Sequence, residues 1–258
     1  MTAVADSAGV RIAYARRGAG PPVLMLHGLG YAAAGWGPAA DALAERFELL
    51  LVDNRGIGAS DAPPGPYTAA QLAADAVAVL DDAGVERADV VGISLGGMAA
   101  QELAISWPQR VGRLVLAATT PGGPRSHPWP DATARLLAGE ANGDVRRLVA
   151  DALGPGTPEA IVDRILDVRA RTAQPIEAWR AQAAASAAFD AYDRLGAIAA
   201  PTLVIHGDAD TVIDHRNAAL LARLIPGARA ELVPGGGHLL PWDHPDRFAA
   251  IVAGFLQR

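Results

Sequence analysis

A succession of short, continuously apolar runs constrains this chain more than any other feature. They are PVLMLHG at 22–28, FELLLVDN at 47–54, ADVVGIS at 88–94, RVGRLVLAATT at 110–120 and APTLVIHGD at 200–208. A strand with one wet face alternates apolar and polar residues. A strand covered on both faces does not, so such runs predict parallel strands sandwiched between layers of helices. Helical patterns separate them. In 68–83, apolar residues recur at Leu72, Ala76, Val79 and Leu80, and Thr68 is placed to cap the first turn. Residues 95–107 follow a run directly and stop before Pro108, 217–225 stop at Pro226–Gly227, and 245–255 lie beyond Pro245. Strands alternating with helices predict an α/β fold with a doubly wound, mostly parallel sheet. Ahead of it, alternating segments Thr2–Asp6 and Val10–Arg16 flank Ser-Ala-Gly and predict an antiparallel hairpin.

The alternation breaks between Pro121 and Leu195, where helical stretches at 131–140, 144–153, 158–172 and 176–195 are punctuated by Pro and Gly. A crossover needs only about a dozen residues. A block this long predicts a helical lid inserted between two strands and lying over the strand ends. The expected organisation is a core in two parts, 1–120 and 196–258, with the lid at 121–195.

A length of 258 residues suits one α/β domain with an insertion. The formal charge is −6 and basic residues form nothing longer than pairs such as Arg16–Arg17, which argues against a nucleic-acid or membrane partner. No apolar stretch approaches the ~18–20 residues that span a bilayer, and the N-terminus shows no secretory pattern. With no cysteine, disulfides, thiolate metal sites and cysteine nucleophiles are excluded, and a cytoplasmic location is expected.

Gly92-Ile93-Ser94-Leu95-Gly96 is the sharpest local signal, a G-x-S-x-G at the end of one apolar run and the start of a helix. A tight strand-to-helix turn there would push the serine hydroxyl out at the carboxyl edge of the sheet, and the small flanking residues would permit the close packing. The helix N-terminus would direct free N–H groups at developing negative charge. Serine needs a base to become a nucleophile. His238, after Gly235-Gly236-Gly237, is the best candidate; His206 lies inside a strand and reads as core or supporting, and His244 as a cap or surface residue. A carboxylate must orient the imidazole. Asp208 and Asp210 both follow the 200–208 run, and spacing alone does not separate them. Backbone N–H groups of Leu95 and, from the loop after His27-Gly28, Leu29 are the expected oxyanion donors.

Two rival patterns use some of the same residues. HGDADTVIDH at 206–215 is rich in metal-ligand types but lacks the Gly and Glu of a calcium loop. Gly28-Leu29-Gly30-Tyr31-Ala32-Ala33, with Asp53 after the next run, imitates a dinucleotide fingerprint. That reading leaves Ser94, Asp210 and His238 unexplained, whereas a hydrolase uses them all.

Taken together, the blocks LHGLG (26–30), DNRGIGASD (53–61), GISLGG (92–97), HGDAD (206–210) and GGGH (235–238) resemble the α/β-hydrolase superfamily along nearly the whole chain. The resemblance implies that Asp210, in G-x-x-D, is the triad acid and that Asp53 and Arg55 belong to a structural turn. Serine at 94 sets the chain apart from the dehalogenases and epoxide hydrolases, whose nucleophile is aspartate. Its blocks look most like small soluble carboxylesterases and enol-lactone hydrolases. That implies a small ester or lactone substrate and no cofactor or metal. Haloperoxidase-like perhydrolysis, carbon–carbon bond hydrolysis and ligand binding without turnover are the alternatives. Apolar and aromatic residues of the lid (Trp129, Ile161, Ile165, Trp179, Phe189, Tyr192) suggest a hydrophobic pocket, although most are expected simply to pack the lid down. Met98 is expected in the core, and Trp36 either at the mouth or as a loop anchor.

Overall fold

β1 (Thr2–Ser7) and β2 (Val10–Arg17) form the expected antiparallel hairpin in a computed structural model that describes residues 2–140, 144–172 and 174–258. β3 (Pro22–Leu26), α1 (Gly37–Ala44), β4 (Glu48–Val52), α2 (Ala69–Asp82), β5 (Ala88–Ile93), α3 (Leu95–Ser106) and β6 (Val111–Ala117) follow in turn. Four helices come next: α4 (Asp131–Leu137), α5 (Val145–Asp151), α6 (Glu159–Arg171) and α7 (Ile176–Ala188). The rest is β7 (Thr202–Gly207), α8 (Arg216–Leu224), β8 (Arg229–Val233), α9 (Leu240–Asp243) and α10 (Pro245–Leu256). The strands make one sheet in the order β1-β2-β4-β3-β5-β6-β7-β8, parallel from β4 to β8.

Both faces of this sheet are covered, which is why the runs lack alternation. Leu24 and Leu26 of β3 pack on one side with Leu72 and Val79 of α2, Met98 and Leu103 of α3, and Leu221 of α8. Val23 and Met25 pack on the other with Leu43 of α1 and Phe248 and Val252 of α10. Thr68 caps α2 as expected: its hydroxyl accepts from Gln71 N–H while the Gln71 side chain accepts from Thr68 N–H.

Chain growth runs from β3 outward to β4, then returns across β3 to β5. The sheet therefore reverses between β3 and β5, where open α/β sheets leave a crevice at the strand carboxyl ends. Leu26 stands opposite Gly92 in that pair. The segments leaving the two strands, 27–30 and 93–95, consequently emerge side by side.

α9 has no counterpart in the sequence pattern, α4 and α5 end short of the expected 140 and 153, and three further differences have a clear physical cause. β8 carries Arg229 and Glu231 and is exposed except at Val233, so as an edge strand it lacks the apolar run that marks the others. α1 buries only Ala39, Ala40 and Leu43, too weak a stripe to stand out. α7 ends at Ala188 rather than 195, because Phe189 turns extended, buries its ring, and offers its carbonyl to Gly123 N–H.

Candidate active site

The strand-to-helix turn holds Ser94 at φ 56° and ψ −122°, a conformation that L-residues rarely adopt. The surroundings over-determine it. Ser94 N–H donates to the Ala117 carbonyl at 3.0 Å, and the Ser94 carbonyl accepts from Met98 N–H at 3.1 Å and Thr119 Oγ1 at 2.8 Å. A Cβ on Gly92 would strike the Gly96 carbonyl oxygen, and one on Gly96 would strike that of Leu26. Only glycine fits two residues before and two residues after this serine.

The loop after β3 runs past the hydroxyl: a Cβ on Gly28 would lie 3.3 Å from Ser94 Oγ. Gly28 N–H lies 2.7 Å from His27 Nδ1, Gly30 N–H donates to Gln182 Oε1 at 3.2 Å, and Tyr31 N–H to the Gly28 carbonyl at 3.2 Å. Among the described residues, the Leu29 and Leu95 N–H groups have no acceptor. Burial pushes His27 down to about 3, which keeps its ring neutral where it stacks on Tyr31 and meets the edge of Trp36. Trp36 is fully buried and acts as a loop anchor.

Asp210 sits between two imidazoles. Its Oδ2 faces His238 Nδ1 at 2.8 Å and His206 Nε2 at 2.9 Å, while Oδ1 accepts from Val212 N–H at 2.7 Å and Ile213 N–H at 3.0 Å. His206 Nε2 also lies 3.2 Å from the Ile213 carbonyl. With two acceptors before it, that nitrogen must carry the proton, and His206 supports the carboxylate rather than merely filling the core. Burial alone would raise the Asp210 carboxyl. The charge of His238 and the hydrogen bonds from both histidines outweigh it and hold the group well below the usual carboxylate range. Asp208 faces elsewhere, accepting from Gly235 N–H at 2.7 Å, so geometry separates the two aspartates that spacing could not.

Ser94 and His238 line one cavity of about 740 Å³, together with the 28–31 loop and residues of α4, α5 and α6. No hydrogen bond joins Ser94 Oγ to His238 among the described residues. Of the aromatic residues singled out between β6 and β7, Trp129 and Trp179 line the cavity. Ile161 and Ile165 pack in a cluster with Val149 and Trp242, Phe189 joins the main core, and Tyr192 lies beneath Arg125. Met98 is buried, and His244 stands at the start of α10 without a side-chain cap bond.

The residues of the rival patterns are occupied with structure. Asp53 accepts from Ala33 N–H at 2.7 Å and Ala59 N–H at 2.9 Å, Asp214 pairs with Arg216, and Arg55 makes a buried two-pronged pair with Asp75 at 2.6 Å. Gln182, missed in the sequence, joins three segments. It accepts from Gly30 N–H and from Gln174 Nε2, and donates to the Arg55 carbonyl at 2.8 Å. It lies in an alanine-rich helix with no period to mark it.

A sheet with this order and a serine on this turn define a class, and comparison with known proteins agrees. The family model described as alpha/beta hydrolase fold matches residues 21–245, and the chain belongs to that family. A 2-hydroxy-6-oxononadienedioate/2-hydroxy-6-oxononatrienedioate hydrolase of Cupriavidus pinatubonensis is 33% identical over 91% of this chain and 86% of its own length. The pimeloyl-(acyl-carrier protein) methyl ester esterase of Aeromonas hydrophila is 30% identical over 93% and 97%. The crystal structure of the enol-lactonase from Burkholderia xenovorans LB400 superposes with TM-score 0.86 at 27% identity, covering 99% of this chain and 100% of that one. The protein is a hydrolase of the α/β fold. Among the described residues, no helix is long and apolar enough to cross a membrane.

Proposed function

We propose that the protein is a cofactor-independent serine hydrolase that cleaves a small carboxylic ester or lactone through an acyl-enzyme on Ser94. The observation that carries this reading is the 2.8 Å contact of His238 Nδ1 with the buried Asp210 carboxylate, on the same cavity as Ser94. With Nδ1 engaged, His238 presents Nε2 as the base. It takes the Ser94 proton as Oγ attacks the carbonyl carbon, and the oxyanion forms against the Leu29 and Leu95 N–H groups. Collapse breaks the carbon–oxygen bond, and the leaving alkoxide takes the proton from His238. Water, deprotonated by the same histidine, then attacks the acyl-enzyme, and Ser94 recovers its proton as the acid leaves. A serine–imidazole hydrogen bond of this kind tightens when substrate binds. The helices of 121–195 act as a lid whose apolar underside selects the acyl or alcohol group.

Hydrolysis of short p-nitrophenyl esters tests the proposal. The wild type should turn them over and Ser94→Ala should lose about 10⁶ in kcat; equal rates in the two proteins would refute a serine nucleophile. A second reading, carbon–carbon hydrolysis by the same residues, is favoured by the relative named for a dienedioate. Product analysis with a vinylogous β-diketone acid separates the two.

A further inference from the structure

Arg169 of α6 has no part in this acyl chemistry, yet it lines the cavity, and among the described residues neither Asp nor Glu lines it with Arg169. The guanidinium lies over the Tyr31 ring, 4.6 Å from its centroid. Its two terminal nitrogens are 3.2 and 3.3 Å from the point where a Cβ on Gly30 would sit, and Trp179 Nε1 is 3.5 Å from that same point. Two donors of different helices thus converge beside Gly30, one residue from the Leu29 N–H. Arg146 and Arg180, also between β6 and β7, are paired with carboxylates, whereas Arg169 has none within salt-bridge distance among the described residues. Arg169 is half-buried, so its unpaired charge faces the cavity while keeping partial access to water. A long, mobile side chain would ordinarily swing its head to water. Here stacking on Tyr31 keeps it inward.

We infer that Arg169 and Trp179 form an anion subsite, and that the substrate is an ester or lactone bearing a carboxylate a short spacer away from the scissile carbonyl. This rests on the acyl-transfer reading above. The planar fork of arginine suits a carboxylate held by two parallel N–H···O bonds, with the indole N–H beside it. Gly28 adjoins Ser94 Oγ and Gly30 adjoins the guanidinium; the two glycines can be at most about 7 Å apart, and the turn closed by Tyr31 N–H brings them nearer, so a short spacer joins the two ends of the substrate. The Trp129, Leu148 and Leu166 side of the cavity would then cover the spacer.

The test compares mono-p-nitrophenyl adipate with neutral p-nitrophenyl hexanoate, which share the same chain length. The wild type should prefer the adipate half-ester. In Arg169→Met the adipate-to-hexanoate ratio of kcat/KM should fall by about 10- to 100-fold, the range for a charge-assisted hydrogen bond. Arg169→Lys, which keeps the charge but loses the fork, should retain part of the preference. An unchanged ratio in both variants would overturn the subsite. Should the wild type cleave neither ester, the acyl-transfer reading fails on its own, and calorimetry with adipate and adipamide still decides the subsite. Adipate bound by the wild type and lost in Arg169→Met supports it, while equal binding of acid and amide, or no binding, refutes it.

Discussion

The floor and the roof of the cavity are built to different rules. On the floor nearly every polar group is tied down: Ser94 by Ala117, Met98 and Thr119, Asp210 by four hydrogen bonds, and the 28–31 loop by Gln182. The roof, α4 to α6, meets the cavity with Leu136, Leu148, Val149 and Leu166, which fix shape but direct no bond. Non-directional contacts tolerate exchange of one apolar side chain for another, whereas a misplaced donor near a reacting carbonyl is felt at once. On the proposed function, reaction class belongs to the floor and substrate choice to the roof, with Arg169 the polar exception.

Substitutions on the two surfaces should therefore fail differently. Asp210→Asn should leave the fold intact and lower turnover by about 10⁴, because the imidazole loses the partner that sets its tautomer; a drop below tenfold in steady-state kinetics would break the assignment. Gln182→Leu frees the Gly30 N–H and should cost about 10² in kcat, the usual penalty for misplacing a reacting geometry by about an ångström. A change confined to KM would instead make Gln182 a roof residue. Leu148→Phe should shift preference along a series of p-nitrophenyl esters by about tenfold per step of chain length, the worth of a methylene or two in an apolar pocket. A uniform drop across the series would erase the contrast.

The smallest effect concerns pH. His27 falls to about 3 in the fold, against about 6.5 in an unfolded chain. A depressed value stabilises the protein fully above the unfolded pKa and loses that contribution as pH falls towards the folded one. The melting temperature of the wild type should thus decline between pH 6.5 and 3 by on the order of ten degrees more than that of His27→Asn. Parallel curves would show that His27 does not resist protonation.

Much of this floor was legible in the sequence because its requirements are local. A turn that admits only glycine two residues to each side of Ser94 writes itself as G-x-S-x-G, and strands covered on both faces write themselves as unbroken apolar runs. Spacing could not choose between Asp208 and Asp210, since the choice depends on which carboxylate faces a histidine 28 residues away. β8 was hidden because its edge position leaves it exposed and charged. Gln182 and Arg169 act through segments more than a hundred residues distant in sequence, and on their own helices they read as ordinary polar positions.

Reaction with a fluorophosphonate followed by peptide mapping decides whether Ser94 is activated. A covalent adduct should form on the peptide carrying Ser94, be absent in Ser94→Ala and form far more slowly in Asp210→Asn. An adduct that persists in Ser94→Ala, or a folded wild type that forms none, would contradict an activated Ser94.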